Sequence, residues 1–190
     1  MNKNLKTTLK YSLATVIGAS VLCGVTEVVA KRGFGIELPI QSQVDFIKSH
    51  IGRNLTFAII VAQAVLLMPA LEEILFRWLI WKLPLSLAHK WSGGGRVARA
   101  LLAVAVSSLF AFAHYIDYAL LVTNRKFALT GWNGAFVALF FFGMIQSWLY
   151  KRTGKLWCPI VNHVLFNTVN IIGLLIVMII GSLIDSPLEI

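Results

Sequence analysis

Five long apolar stretches dominate the chain, at residues 9–29, 54–83, 97–122, 132–150 and 156–184. A helix needs roughly 20 residues to cross a hydrocarbon core, and each stretch meets or approaches that length. The second contains Pro69, which removes a backbone hydrogen bond and kinks a helix, so it reads as two pieces or one bent helix. The fifth is long enough to tilt, or to be a short re-entry followed by a helix. The expected fold is all-α: a polytopic transmembrane bundle of about five to six helices around a polar cavity, in one integral-membrane domain over residues 1–190.

Composition supports this. The 190 residues are 58% hydrophobic and 13% charged, against about 45–50% apolar and about 25% charged in soluble domains. A net charge of +9 would suggest nucleic acid in a soluble protein. Here the basic residues lie between apolar segments, so they mark a membrane face and no nucleic-acid partner is expected. The first stretch exceeds the usual signal-peptide core and no A-x-A site follows it, which favours a retained helix. Cys23 and Cys158 fit no metal spacing or disulfide framework, and Leu22 is too large for a lipoprotein site before Cys23. The chain shows no internal repeat and no low-complexity tail.

Loop charges give an orientation. Ten basic residues lie on one side (Lys3, Lys6, Lys10, Lys82, Lys90, Arg96, Arg99, Lys151, Arg152, Lys155) and six on the other (Lys31, Arg32, Lys48, Arg53, Arg125, Lys126). The bias places the N-terminus in the cytoplasm of a multi-pass cell-membrane protein, with the C-terminus outside.

A few strong polar groups remain inside the apolar stretches. They are Glu72, Glu73 and Arg77 in the second, His114 and Asp117 in the third, and Gln146 in the fourth. The fifth adds Asn162, His163, Asn167 and Asn170, and Glu27 ends the first. An ionisable group at the bilayer centre costs at least about 2.5–3.5 kcal/mol on insertion scales, so it faces a partner or a wet cavity. Glu73 and Arg77 are four apart and stack as a helical ion pair. Glu72 points about 100° away from Glu73, free to look elsewhere. Phe110 and His114 share a face, as do His163 and Asn167. If these faces converge, Glu72, His114, His163 and Asn167 surround one cavity suited to activating water.

Two chemistries stay open at this point. Glu72 takes a proton from water, while an imidazole and an amide N–H donate to the oxyanion formed on a carbonyl. Alternatively, Glu72, His114 and His163 bind zinc and leave one position for water. Bland readings stand beside both. A single histidine is more often a hydrogen-bonded bundle residue than a catalyst, and Glu73–Arg77 is equally suited to a purely structural role. Asp117 suits the membrane surface. Gln146 and Asn170 suit interhelical hydrogen bonding. The aromatic run "FVALFFF" reads as lipid-facing or core packing.

The residues also carry a resemblance. "EEILFR" (Glu72, Glu73, Arg77) resembles the EExxxR motif of the CAAX protease and bacteriocin-processing family of intramembrane proteases, also called the Abi family. "FAFAH" (Phe110, His114) resembles its FxxxH motif, and "HVLFN" (His163, Asn167) its HxxxN motif. The three occur in family order, and the likeness covers about 54–170. It implies that Glu72 activates the attacking water with help from His114. His163 and Asn167 would stabilise the oxyanion, and Glu73, Arg77 and Phe110 would support the site. The family includes type II prenyl endopeptidases, which remove the last three residues of prenylated CAAX proteins, and bacterial members linked to peptide maturation and bacteriocin immunity. Trp78 departs from the glycine that often follows the motif arginine, and either narrows the cavity or faces lipid.

The expected activity is hydrolysis of a peptide bond in a membrane-embedded peptide or protein, with the lipid bilayer as the other partner and zinc as an optional cofactor. The competing readings are a non-catalytic immunity or peptide-binding membrane protein and a small transporter. The lack of an internal repeat weighs against the transporter.

Overall fold

A computed structural model describes residues 2–36, 54–82, 95–116, 125, 127–129 and 134–185. They form an all-α bundle of five helices. Helix α1 spans Lys3–Val28 and continues in wider winding through Val29–Gly33. Helix α2 covers 54–82, α3 spans Arg96–Ala113, α4 Ala135–Thr153 and α5 Trp157–Asp185. No strand forms among the described residues; an isolated antiparallel bridge pairs Ile116 with Leu129. Asp117 lies outside the described residues.

Three segments, Lys3–Gly33, Leu55–Ile80 and Trp157–Ile180, are long and apolar enough to cross a membrane, and Val97–Ala113 is a shorter apolar helix. Helix α4 is not among the three, because Gln146, Ser147, Lys151 and Arg152 dilute its apolar content. It sits instead at the centre and touches all four other helices. Its buried residues include Ala138, Phe142, Gly143, Gln146, Ser147 and Leu149.

The inner face of α1 is a stripe of small residues, Thr8, Ser12, Thr15 and Ala19. Each of the three hydroxyls donates to the carbonyl one turn back, so the stripe satisfies itself and permits a close helix approach. The α1–α4 contact is tight: a Cβ on Gly18 would come within 2.7 Å of the Phe141 ring. A carboxamide link crosses this interface. Asn162 on α5 donates to Gln146 Oε1 on α4 at 2.9 Å and to Thr15 Oγ1 on α1 at 3.3 Å. Gln146 donates to the Pro159 carbonyl at 3.1 Å, so its expected interhelical role holds. Asn170, by contrast, donates to Phe166 O within its own helix.

Helix α4 ends at Gly154, whose φ of +65° is the left-handed conformation glycine adopts freely. Its N–H donates to Tyr150 O at 2.8 Å, and α5 begins at Trp157. So short a connection makes α4 and α5 antiparallel neighbours.

Pro69 does not split α2. The helix runs on through it, with π-wound stretches at Gln63–Leu67 and Ile74–Lys82 flanking α-helical Met68–Glu73. A π turn holds an extra residue and absorbs the register change that a proline imposes.

Helices α3 and α4 cross at Gly143, where an added Cβ would meet Ser107 Cβ at 3.0 Å and its Cα at 3.1 Å. Gly143→Val is therefore expected to destabilise the protein by about 1–3 kcal/mol through overpacking. A lowered unfolding midpoint in detergent would register it; an unchanged midpoint would contradict the described crossing.

Candidate active site

Helix α3 ends sooner than the apolar run at 97–122 suggests, and the way it ends places His114. The backbone N–H of His114 reaches only to Ala111 O, and those of Tyr115 and Ile116 make similar three-residue turns. This tightening leaves Phe110 O free, one of the orphan carbonyls of a helix C-terminus. The His114 ring takes it: Nδ1 lies 2.9 Å from Phe110 O. A carbonyl only accepts, so Nδ1 carries the hydrogen and Nε2 is turned away from the helix.

On α2, Glu73 and Arg77 are fully buried and paired, with Arg77 Nε donating to Glu73 Oε2 at 3.1 Å. The other carboxylate oxygen, Glu73 Oε1, lies 3.0 Å from His163 Nδ1 on α5. Glu73, paired with the Arg77 guanidinium, accepts at both oxygens, so His163 Nδ1 is the donor. The contact fixes the His163 ring much as an orienting carboxylate fixes a catalytic imidazole.

Both Nε2 atoms turn toward Glu72. Glu72 Oε2 lies 3.7 Å from His163 Nε2 and 3.8 Å from His114 Nε2. This oxygen is itself buried and has no hydrogen-bond partner in the protein. The Glu72 side chain is 21% exposed whereas that of Glu73 is 0%, so Glu72 is the more accessible of the two. The faces expected to converge therefore do so for Glu72, His114 and His163.

Asn167, one turn after His163, is placed differently. Its Nδ2 donates to Ala64 O on α2 at 2.8 Å. One of its two amide hydrogens is thus committed to a helix backbone, and the second remains.

Phe110 forms the floor. It is fully buried, edge-on to Phe76, stacked on Phe142 at 5.6 Å and 4.7 Å from the His114 ring. The Arg77 guanidinium lies over its face at 5.5 Å, a cation–π placement. Phe142 touches His163 at 4.7 Å. From sequence this aromatic run reads as lipid-facing or core packing, with no further role. The missed signal is helical spacing, because Phe142 is four residues before Gln146 on the inward face of α4. Trp78 is 51% exposed and faces outward, so the indole leaves the cavity unobstructed.

The donor types of Glu72, His114 and His163 suit zinc. Among the described residues, however, no group of three His, Cys, Asp or Glu side chains is arranged to hold a metal ion.

Fold and site together define a membrane helix bundle whose interior places a carboxylate between two imidazoles. The family model of type II CAAX prenyl endopeptidase Rce1-like proteins matches residues 54–169, and the chain belongs to that family of membrane proteases. The matched region contains all seven motif residues. No curated protein and no solved structure matches the chain.

Removing Glu73 would strand the buried guanidinium. Breaking a buried pair costs about 3–5 kcal/mol, so Glu73→Ala is expected to unfold the protein at a markedly lower temperature. Thermal unfolding in lipid nanodiscs measures this, and an unaltered midpoint would contradict the buried pair.

Proposed function

We propose that the protein is an intramembrane endopeptidase that hydrolyses a peptide bond of a membrane-associated peptide or protein, with Glu72 as the base for the attacking water. The observation that supports it is the approach of two imidazole Nε2 atoms to one unpartnered oxygen, Glu72 Oε2.

The reaction follows from the hydrogen positions. A water between Glu72 Oε2 and His114 Nε2 donates one hydrogen to each, because His114 Nδ1–H is committed to Phe110 O and Nε2 holds a lone pair. As the water oxygen bonds to the scissile carbonyl carbon, its proton passes to Glu72. The carbonyl oxygen becomes an oxyanion. In its imidazolium form, with Nδ1–H held by the Glu73 carboxylate, His163 donates Nε2–H to it. The C–N bond then breaks, and the Glu72 proton moves to the departing amine. One water is consumed, and an acid and an amine are released. The Phe110, Phe76 and Phe142 wall keeps the surroundings apolar, which strengthens each of these electrostatic contacts.

The substrate is proposed as a membrane-associated peptide or protein that reaches the site from the membrane. The bias of basic residues supports a cytoplasmic N-terminus in a multi-pass cell-membrane protein.

Glu72→Gln keeps the shape and removes the base. General-base catalysis contributes about 10²–10⁴-fold, and a loss of cleavage of that order is expected with the fold intact. His114→Ala should behave similarly. Peptide cleavage by purified protein in liposomes measures both, and unchanged turnover in Glu72→Gln overturns the assignment.

A further inference from the structure

The π turn of α2 leaves one carbonyl that the helix cannot satisfy. Met68 N–H donates to Gln63 O, five residues back. Ala64 O comes next, and only two backbone donors are in register with it: residue 68, four further on, and residue 69, five further on. The first is already given to Gln63. The second is Pro69, which has no N–H. A bare carbonyl in hydrocarbon costs several kcal/mol, so its partner must come from another helix. Asn167 Nδ2 on α5 is that partner, at 2.8 Å.

We infer that Asn167 is a positioning residue: its amide replaces the hydrogen bond Pro69 cannot make, and so locks the π turn that aims Glu72 and Glu73. An α-helix advances about 100° per residue, so the extra residue in the π turn rotates every position that follows it. Glu72 and Glu73 stand about one and a half turns beyond Leu67, and their directions depend on whether the turn keeps its winding. Asn167 also lies on the face of α5 that carries His163. The helix therefore grips α2 twice, at Ala64 through an amide and at Glu73 through an imidazole. An oxyanion donor alone would have no reason to contact a backbone carbonyl beside a proline. The consequence for catalysis rests on the peptidase reading; the structural lock does not.

The test is a double-mutant cycle of Asn167→Ala and Pro69→Ala, with Pro69→Leu as a second background should Pro69→Ala fail to fold. Either proline replacement restores a backbone N–H at position 69. Two quantities are read in nanodiscs: kcat and KM on a susceptible peptide, and hydrogen–deuterium exchange of the segment 62–70. With Pro69 present, Asn167→Ala should lower kcat about tenfold with KM little changed, the size expected for one lost hydrogen bond. Exchange in 62–70 should rise. With the proline replaced, both effects should shrink, the kcat loss to about threefold or less. An equal kcat loss in both backgrounds with unaltered exchange overturns the inference and makes Asn167 a substrate contact only. If the parent protein cleaves nothing, the peptidase reading fails, and the exchange measurement alone decides the lock.

Discussion

Glu73 has no exposed surface, and both of its oxygens are engaged. One accepts from Arg77 on its own helix and the other from His163, ninety residues later in the chain. A carboxylate in hydrocarbon must find such partners, so α2 and α5 can pack in the register that joins Glu73 to His163 and in few others. From that register much of the interior follows. Glu72, the preceding residue, is turned to the other side of the same imidazole, and Arg77 is laid across Phe110. A buried ionic group of this kind contributes more to fixing one arrangement than to net stability.

The remaining polar contacts act in the same sense. Helices in lipid gain nothing by hiding apolar surface from one another, so packing and hydrogen bonds decide which faces meet. Asn162 draws α1, α4 and α5 together through Thr15 and Gln146, and the small-residue stripe of α1 allows the approach. The bundle thus has two polar anchors. One is the carboxamide link, and the other is the carboxylate–imidazole group between α2, α3 and α5.

The sequence made the anchors legible as residues and left their connections open. Glu72, His114 and His163 stand out because strong polar groups are costly in apolar runs, and helical spacing assigns them faces. Spacing within a helix says nothing about which face meets which, so the Glu73–His163 contact was beyond reach. Helical spacing pairs Glu73 with Arg77 and is silent on any partner from another helix. The early end of α3 was equally hidden, since it depends on the His114 ring capping the carbonyl of Phe110, and an apolar run continues past it. Pro69 was recognised as a disturbance, but whether it divides α2 or is absorbed depends on a partner from α5. Phe142 looked like one phenylalanine among several until its inward face was defined by Gln146.

The brief connection at 154–156 has a bearing on biogenesis. Helix α4 carries a glutamine and two terminal cations and falls short of the hydropathy that would carry it into lipid unaided. Its neighbour α5 is strongly apolar, and the Gly154 turn leaves too little chain for the two to partition separately. A hairpin joined so closely can partition as one unit, the oilier limb offsetting the cost of the other, with Gln146 matched to the Pro159 carbonyl inside the pair.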